Sequence, residues 1–272
     1  MHVRRHRTVG VRPTLVRVLD LAAFHLACWA NSWLAGGAAV DDVADALTAD
    51  GRAHHAYAAD AEALVAMDSP DMEPMLWALT ALRRAGTDLF VAALPVPGQL
   101  IGLAGPPGFN VDAVAAGSAA IACGSGLSLL PSVIGGGVQW QVRAAHAPAP
   151  VDVREAEQTL AGLMLTLSRS RADDSWAGPP GDVPSPADLR SELGRLQLPP
   201  TLSPRARQLA ERAVQCWAVA ESALATPALH SFSGSPEVAR TGGPVSTRDL
   251  RALAVASRSA LSAVAASGRA LA

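Results

Sequence analysis

The chain of 272 residues contains no lysine: all 22 of its basic residues are arginine. A Walker-type phosphate loop, a Schiff-base lysine and a kinase-type lysine each need an amine side chain, so those chemistries are excluded. Charge is sparse as well, at 17% of residues, and 22 basic residues against 24 acidic leave a net charge of −2. No global field therefore recruits nucleic acid or an anionic membrane. Aromatics make up only 4%. Cysteine is limited to Cys28, Cys123 and Cys216, widely spaced and without a CxxC pair, which excludes a disulfide framework and a zinc finger. Reduced, buried thiols are expected.

What is abundant is apolar residue, at 50%, together with 23 glycines and 20 prolines. The most informative stretch runs from Leu89 to Val142, where Asp112 is the one charged residue. Pro95, Pro97, Pro106, Pro107 and Pro131 interrupt it, which rules out a membrane span and favours a buried sheet with tight turns. Strands are expected at Leu89–Leu94, around Gln99–Leu103, at Ala119–Cys123, at Leu127–Ile134 and at Val138–Arg143. The last alternates Val138, Trp140 and Val142 with Gln139, Gln141 and Arg143, the period-two signature of one buried and one wet face. Gly135-Gly136-Gly137 reads as a hairpin connection, and Asn110 as the cap of a short helix Val111–Ala116 stopped by Gly117.

Helices are expected on both sides of this sheet. Leu15, Leu19, Ala22, Leu26, Trp29 and Trp33 recur at helical spacing, and Gly36-Gly37 ends that helix. Asp41 is placed to cap a helix bearing Val43 and Leu47, a further helix is expected over Ala53 to Met67, and Pro74 opens another that carries Leu79 and Leu82. After a Pro/Ala linker at Ala144–Val151, Asp152 with Glu155 starts a helix through Leu160 and Leu167. Ser185-Pro186 and Ser203-Pro204 each read as a cap followed by proline at the first helical position. Thr226–Pro244 is Gly/Ser/Pro-rich and reads as a loop, and Ser246 with Asp249 starts the last helix.

The expected fold class is α+β: a small, mainly antiparallel sheet of about four to five strands covered by N-terminal helices, with additional C-terminal helices. Residues 1–145 would form the helical N-terminal part plus the sheet, and 146–272 a C-terminal helical region with Pro/Gly-rich loops. The strings AFHLACWANSWLAGG, LPVPG and GLSLLPSV before VQWQV resemble a family of uncharacterised proteins from high-GC actinobacteria, over most of residues 15–225. That family has no assigned activity. The resemblance implies an intracellular actinobacterial protein and carries over no catalytic residue.

Each candidate site has a plainer structural reading beside it. Asp41-Asp42-Val43-Ala44-Asp45 matches the DDxxD of magnesium-diphosphate sites, yet a second acidic motif is missing, and acids after Gly-Gly suit a helix start. His25 and Cys28 share a helix face but lack further ligands, so no metal and no cofactor is expected. Cys123-Gly124-Ser125-Gly126 follows a strand, as a nucleophile elbow does, but the flanking glycines of that motif are absent. The same glycines lack the GxGxxG spacing of a dinucleotide site. The Arg-rich start, Arg4 to Arg17, has no interleaved aromatics for nucleic acid, and Leu21–Val40 is too polar for an export or membrane segment. A cytoplasmic location follows.

The functional expectation is a non-catalytic protein that associates with a protein partner or itself, with Trp176 as candidate contact on a loop. The alternative is a small-molecule-binding protein or enzyme whose site lies at the glycine-rich strand ends, formed by Cys123, Ser125, Arg143 and His146.

Overall fold

The computed structural model describes residues 21–149, 151–172, 197–225 and 246–269. The Arg-rich start, Leu15, Leu19, Trp176, Ser185-Pro186 and the stretch Thr226–Pro244 lie outside the described residues.

In chain order the elements are α1 (Ala22–Leu34), α2 (Val40–Thr48), β1 (His54–Ala58), α3 (Ala61–Met67), β2 (Glu73–Pro74), α4 (Met75–Arg84) and β3 (Leu89–Ala93). They continue with α5 (Pro107–Ala116), β4 (Ala119–Cys123), β5 (Leu127–Ile134), β6 (Gly137–Ala144), α6 (Val153–Ala172), α7 (Pro204–Leu224) and α8 (Thr247–Ala266). The fold is α+β. Its sheet has six strands in the order β2-β1-β6-β5-β4-β3. Strands β3 to β6 form an antiparallel meander, and β1 lies parallel to β6, with Ala56 opposite Trp140.

The alternation in β6 has the consequence the sequence implies. Val138, Trp140 and Val142 are buried in the main core with Leu127, Leu129, Ala120 and Ala56, while Gln139, Gln141 and Arg143 stay half-exposed on the other face. The main core continues through α1, α7 and α8. A smaller cluster on the opposite face seats Phe109 and Ala113 of α5 against Val91, Ile121 and Leu130. The strands of the near-chargeless midsection thus supply much of the interior, while its turns and the side chains of Leu100, Val111, Val133 and Ile134 are exposed.

Helix ends follow their local chemistry. Ser203 accepts from the Ala206 N–H at 3.2 Å, Asp152 from the Glu155 N–H at 2.9 Å, and Ser246 from the Asp249 N–H at 3.1 Å. Each satisfies a backbone donor that the first helical turn leaves without a partner.

Four expectations need correction. The helix expected over Ala53 to Met67 is instead strand β1 followed by α3, and with β2 this raises the strand count to six. His54–Ala58 has no local strand signal. Its pairing with β6 decides, because a buried ladder overrides alanine's helix preference. Asp60 marks the switch: one carboxylate oxygen caps α3 through Ala63 N–H at 2.9 Å, and the other accepts from Ala144 N–H of β6 at 2.8 Å. Gln99–Leu103 is not a strand. Val96 and Gln99 exchange backbone hydrogen bonds of 3.0 and 2.8 Å around Pro97-Gly98, so the chain folds back as a tight turn. α2 starts before Asp41: Ala39 is its N-cap residue, and the Asp42 carboxylate accepts the Ala39 N–H at 2.7 Å. α5 starts at Pro107, so Asn110 lies within it and accepts from the Gly105 N–H at 3.1 Å.

The edge strand β3 ends the sheet against α1. There the buried Asn31 side chain accepts the Phe90 N–H at 2.7 Å and donates to the Phe90 carbonyl at 2.8 Å, doing for one residue what a neighbouring strand does. The same amide nitrogen donates to the Ala265 carbonyl of α8 at 2.8 Å.

Trp140 also makes a polar link through the core face. Its Nε1–H donates to His54 Nδ1 at 3.2 Å, which requires that nitrogen to be unprotonated. Burial lowers the His54 pKa below its ordinary 6.5, partly offset by Asp50. The neutral ring is therefore favoured by folding. Stability is expected to be full above about pH 6.5 and to fall as pH drops toward the lower folded-state pKa. In urea titrations between pH 7.5 and 5 (roughly the range in which histidine charges), His54→Gln, whose carbonyl still accepts from Trp140, should remove that part of the slope. An unchanged slope would refute the assignment.

Candidate functional site

The residues that sequence reasoning groups at the glycine-rich strand ends are engaged in separate structural tasks. Cys123 closes β4 and Leu127 opens β5, so the segment between them is a hairpin connection. Gly124 has φ of +89° and sits so close to the α4–β3 connection that a Cβ there would lie 2.3 Å from the Gly86 carbonyl oxygen. Ser125 bonds Thr87 Oγ1 at 2.8 Å and the Ala122 carbonyl at 3.0 Å. Its hydroxyl serves the turn.

Arg143, on the half-exposed face of β6, forms an ion pair with Asp112 of α5. His146 is exposed beyond the end of β6, where its backbone N–H binds the Gly105 carbonyl at 2.9 Å. A shallow hollow of about 570 Å³ beside the hairpin is lined by Glu62, Val65, Asp68, Arg84, Ser125 and Leu127. Of the four predicted ligand residues it contains Ser125 alone.

His25 and Cys28 belong to α1, whose Phe24, Leu26, Ala27 and Cys28 pack in the main core; Arg143 and Asp112 meet on the other side of the sheet. Burial pushes the Cys28 thiol far above its ordinary range, with Arg207 opposing weakly, and burial also raises Cys216. Both thiols stay protonated near neutral pH and so are poor nucleophiles and ligands. Within DDxxD, Asp42 is committed to the α2 start, while Asp41 and Asp45 are exposed. Among the described residues, no group of three or more His, Cys, Asp or Glu is arranged to hold a metal.

A larger concavity lies elsewhere. A groove of about 1260 Å³ runs between α6 and α8, bounded by the Val96–Gln99 turn and the end of α7. Sequence reasoning missed it. The available signal was a pair of acids, Asp152 and Glu155, and a pair of arginines, Arg248 and Arg251, each at the start of a helix and each followed on the same face by small apolar residues.

The expected resemblance is to uncharacterised actinobacterial proteins, and the strings that carry it fall on α1, the loop after β3, and the β5–β6 hairpin. Residues 23–156 match the Rv1486c-like protein, N-terminal domain. This Rv1486c-like stretch runs from α1 to the first turn of α6 and contains the whole sheet. The chain is 40% identical over 120 residues to the uncharacterized protein Rv1486c of Mycobacterium tuberculosis strain H37Rv, and to the same extent to the uncharacterized protein MT1533 of strain CDC 1551. Each match takes in 39% of this chain and 42% of the relative, so the likeness spans about two-fifths of those proteins' length. No solved structure matches. No activity accompanies the Rv1486c-like domain or either relative.

No helix among the described residues is long and apolar enough to cross a membrane.

Proposed function

We propose that the protein is a non-catalytic cytoplasmic protein that works by associating with another protein or with a second copy of itself. One observation carries the reading. The candidate side chains lie on different parts of the fold, and several are spent in structural contacts: Ser125 in a turn, Arg143 on Asp112, Cys28 in the core and Asp42 at a helix start. A catalytic site needs such groups within reach of one another. The described surface also carries exposed apolar side chains, among them Val65, Val111, Ile134 and Leu165, the residue type that association covers. Trp176 is the candidate contact outside the described residues.

The test is light scattering after size exclusion over roughly 1–100 μM, a range that spans weak to moderate association. It is run on the chain alone and with each partner recovered from the host and then purified. A mass above 27.9 kDa that rises with concentration, or a reconstituted complex weakened by Trp176→Ala, is the expected result. A monomer at all concentrations with no complex reconstituted overturns the proposal.

A further inference from the structure

The segment from β1 to β2 has little buried side chain to hold it. Between His54 and Pro74 the buried apolar residues are Ala56, Ala63 and Met67, whereas every residue of β3 after Leu89 is buried. A segment with few buried contacts is able to open by itself while the remainder stays folded.

Among the described residues, the side chains of this segment bond to β6 at two points, one at each end of β1. At the N-terminal end His54 Nδ1 accepts from Trp140 Nε1–H at 3.2 Å. At the C-terminal end Asp60 accepts from the Ala144 N–H at 2.8 Å. Backbone bonds bracket the same strand: the Val138 N–H donates to the Ala53 carbonyl and the Ala59 N–H to the Val142 carbonyl, each at 2.9 Å.

The first of these ties is sensitive to a proton. The indole nitrogen is a donor only, so His54 accepts from it only while Nδ1 carries no hydrogen. The doubly protonated ring would set two N–H donors against each other, beside an indole that is fully buried. Burial disfavours the charged ring, Asp50 opposes that, and Arg52 and His55 add to it. Those three charges come from β1 and the connection before it. Glu62 of α3, Arg83 and Arg84 of α4 and Arg143 of β6 do not contribute to the balance. Glu73 of β2 sits opposite Ala56, and its carboxylate accepts from the Ser69 hydroxyl at 2.8 Å.

We propose that the His54–Trp140 bond is a proton-sensitive latch on the β1 side of the sheet. When His54 takes up a proton, the N-terminal half of β1 leaves β6 and the remainder of the fold stays in place. Asp60, bonded to both Ala63 and Ala144, is the hinge. Opening bares the β6 edge from Val138 to Trp140, and a bare edge is able to pair with another extended chain.

The test is site-resolved amide hydrogen exchange by NMR on the full chain, corrected for the intrinsic pH dependence of exchange. It runs between about pH 7.5 and 5.5, the range in which histidine charges. Protection of the Val138 amide should fall below about pH 6.5, approaching tenfold per pH unit, the limit set by uptake of one proton. The Ala59 and Ala144 amides and those of the β3–β4 ladder should keep their protection. His54→Gln, whose carbonyl accepts from the indole without titrating, should hold Val138 protection level across the range. His55→Gln, on the opposite face of β1, should behave as the parent does. The latch is overturned by a Val138 amide whose protection is constant, by a loss that Ala59 and β4 share equally, or by a loss that persists in His54→Gln. Should His54→Gln not fold, the contrast between Val138 and Ala59 within the parent chain decides.

Discussion

Replacing Asn31 by alanine is expected to cost about 3 kcal/mol of folding stability, because it strips partners from three buried backbone groups at once. Asn31 is 2% exposed and its carboxamide accepts from Phe90 N–H while donating to the carbonyls of Phe90 and Ala265. Each buried donor or acceptor left without a partner costs about 1–3 kcal/mol. The midpoint of thermal unfolding should drop by roughly 6–12 °C for a chain of this size. Asn31→Asp separates hydrogen bonding from shape. It preserves the volume, yet ionised it donates to neither carbonyl and buries a charge, and protonated it donates to only one of them, so its loss should equal or exceed that of alanine. If urea denaturation placed both variants within about 1 kcal/mol of the parent, Asn31 would not be closing the sheet edge.

The second large effect belongs to Gly124, and it distinguishes two glycines that the sequence presents as equivalent. Gly124→Ala should cost about 3 kcal/mol: roughly 1 for a side chain at positive φ, and the rest for forcing the hairpin away from the α4–β3 connection. A Cβ at this position would meet backbone, the Gly86 oxygen at 2.3 Å and its carbon at 3.3 Å, and backbone on both sides cannot rotate out of the way. Gly126, with φ of +72° and nothing within 4 Å of where a methyl would stand, should lose only the conformational part, about 1 kcal/mol. Equal destabilisation of the two variants in equilibrium unfolding would mean that φ alone matters. The close approach at Gly86 would then have no energetic weight.

The pair also shows why Cys123-Gly124-Ser125-Gly126 reads ambiguously as a sequence. A strand followed by small residues is common to nucleophile-bearing turns and to plain hairpins. What separates them is a neighbour: here Thr87, 38 residues upstream, holds the Ser125 hydroxyl, and Gly86 leaves no room beside Gly124. Likewise Arg143 reads as available for an anionic ligand until α5 brings Asp112 against it from 31 residues away. Side-chain availability is a tertiary property, because a charge near a partner of opposite sign is already committed.

Other features needed no tertiary knowledge. The caps at Ser203 and Ser246 involve a donor three residues away, so the local sequence contains both partners. The two faces of β6 follow from the pleat itself, which sends Val138, Trp140 and Val142 to one side whatever lies there. Between Leu89 and Val142, the near-chargeless runs between the prolines and glycines favour buried strands, and β3 to β6 are those runs. These conclusions depend on periods and bonds within a few residues.

What the tertiary structure decided involves partners far apart along the chain. His54–Ala58 became a strand because β6 offered a parallel ladder more than 80 residues later, which alanine and histidine accept although they do not call for it. Asn31, on sequence merely a polar residue in an apolar helix, became the end-piece of a sheet because α1 was carried to β3. One groove has both Glu155 and Arg248 in its lining because α6 and α8 pack side by side, although the two residues are separated by most of the C-terminal half. Local preference is worth tenths of a kcal/mol per residue, while burial and ladder pairing are worth one or more, so where the two disagreed the distant contact prevailed.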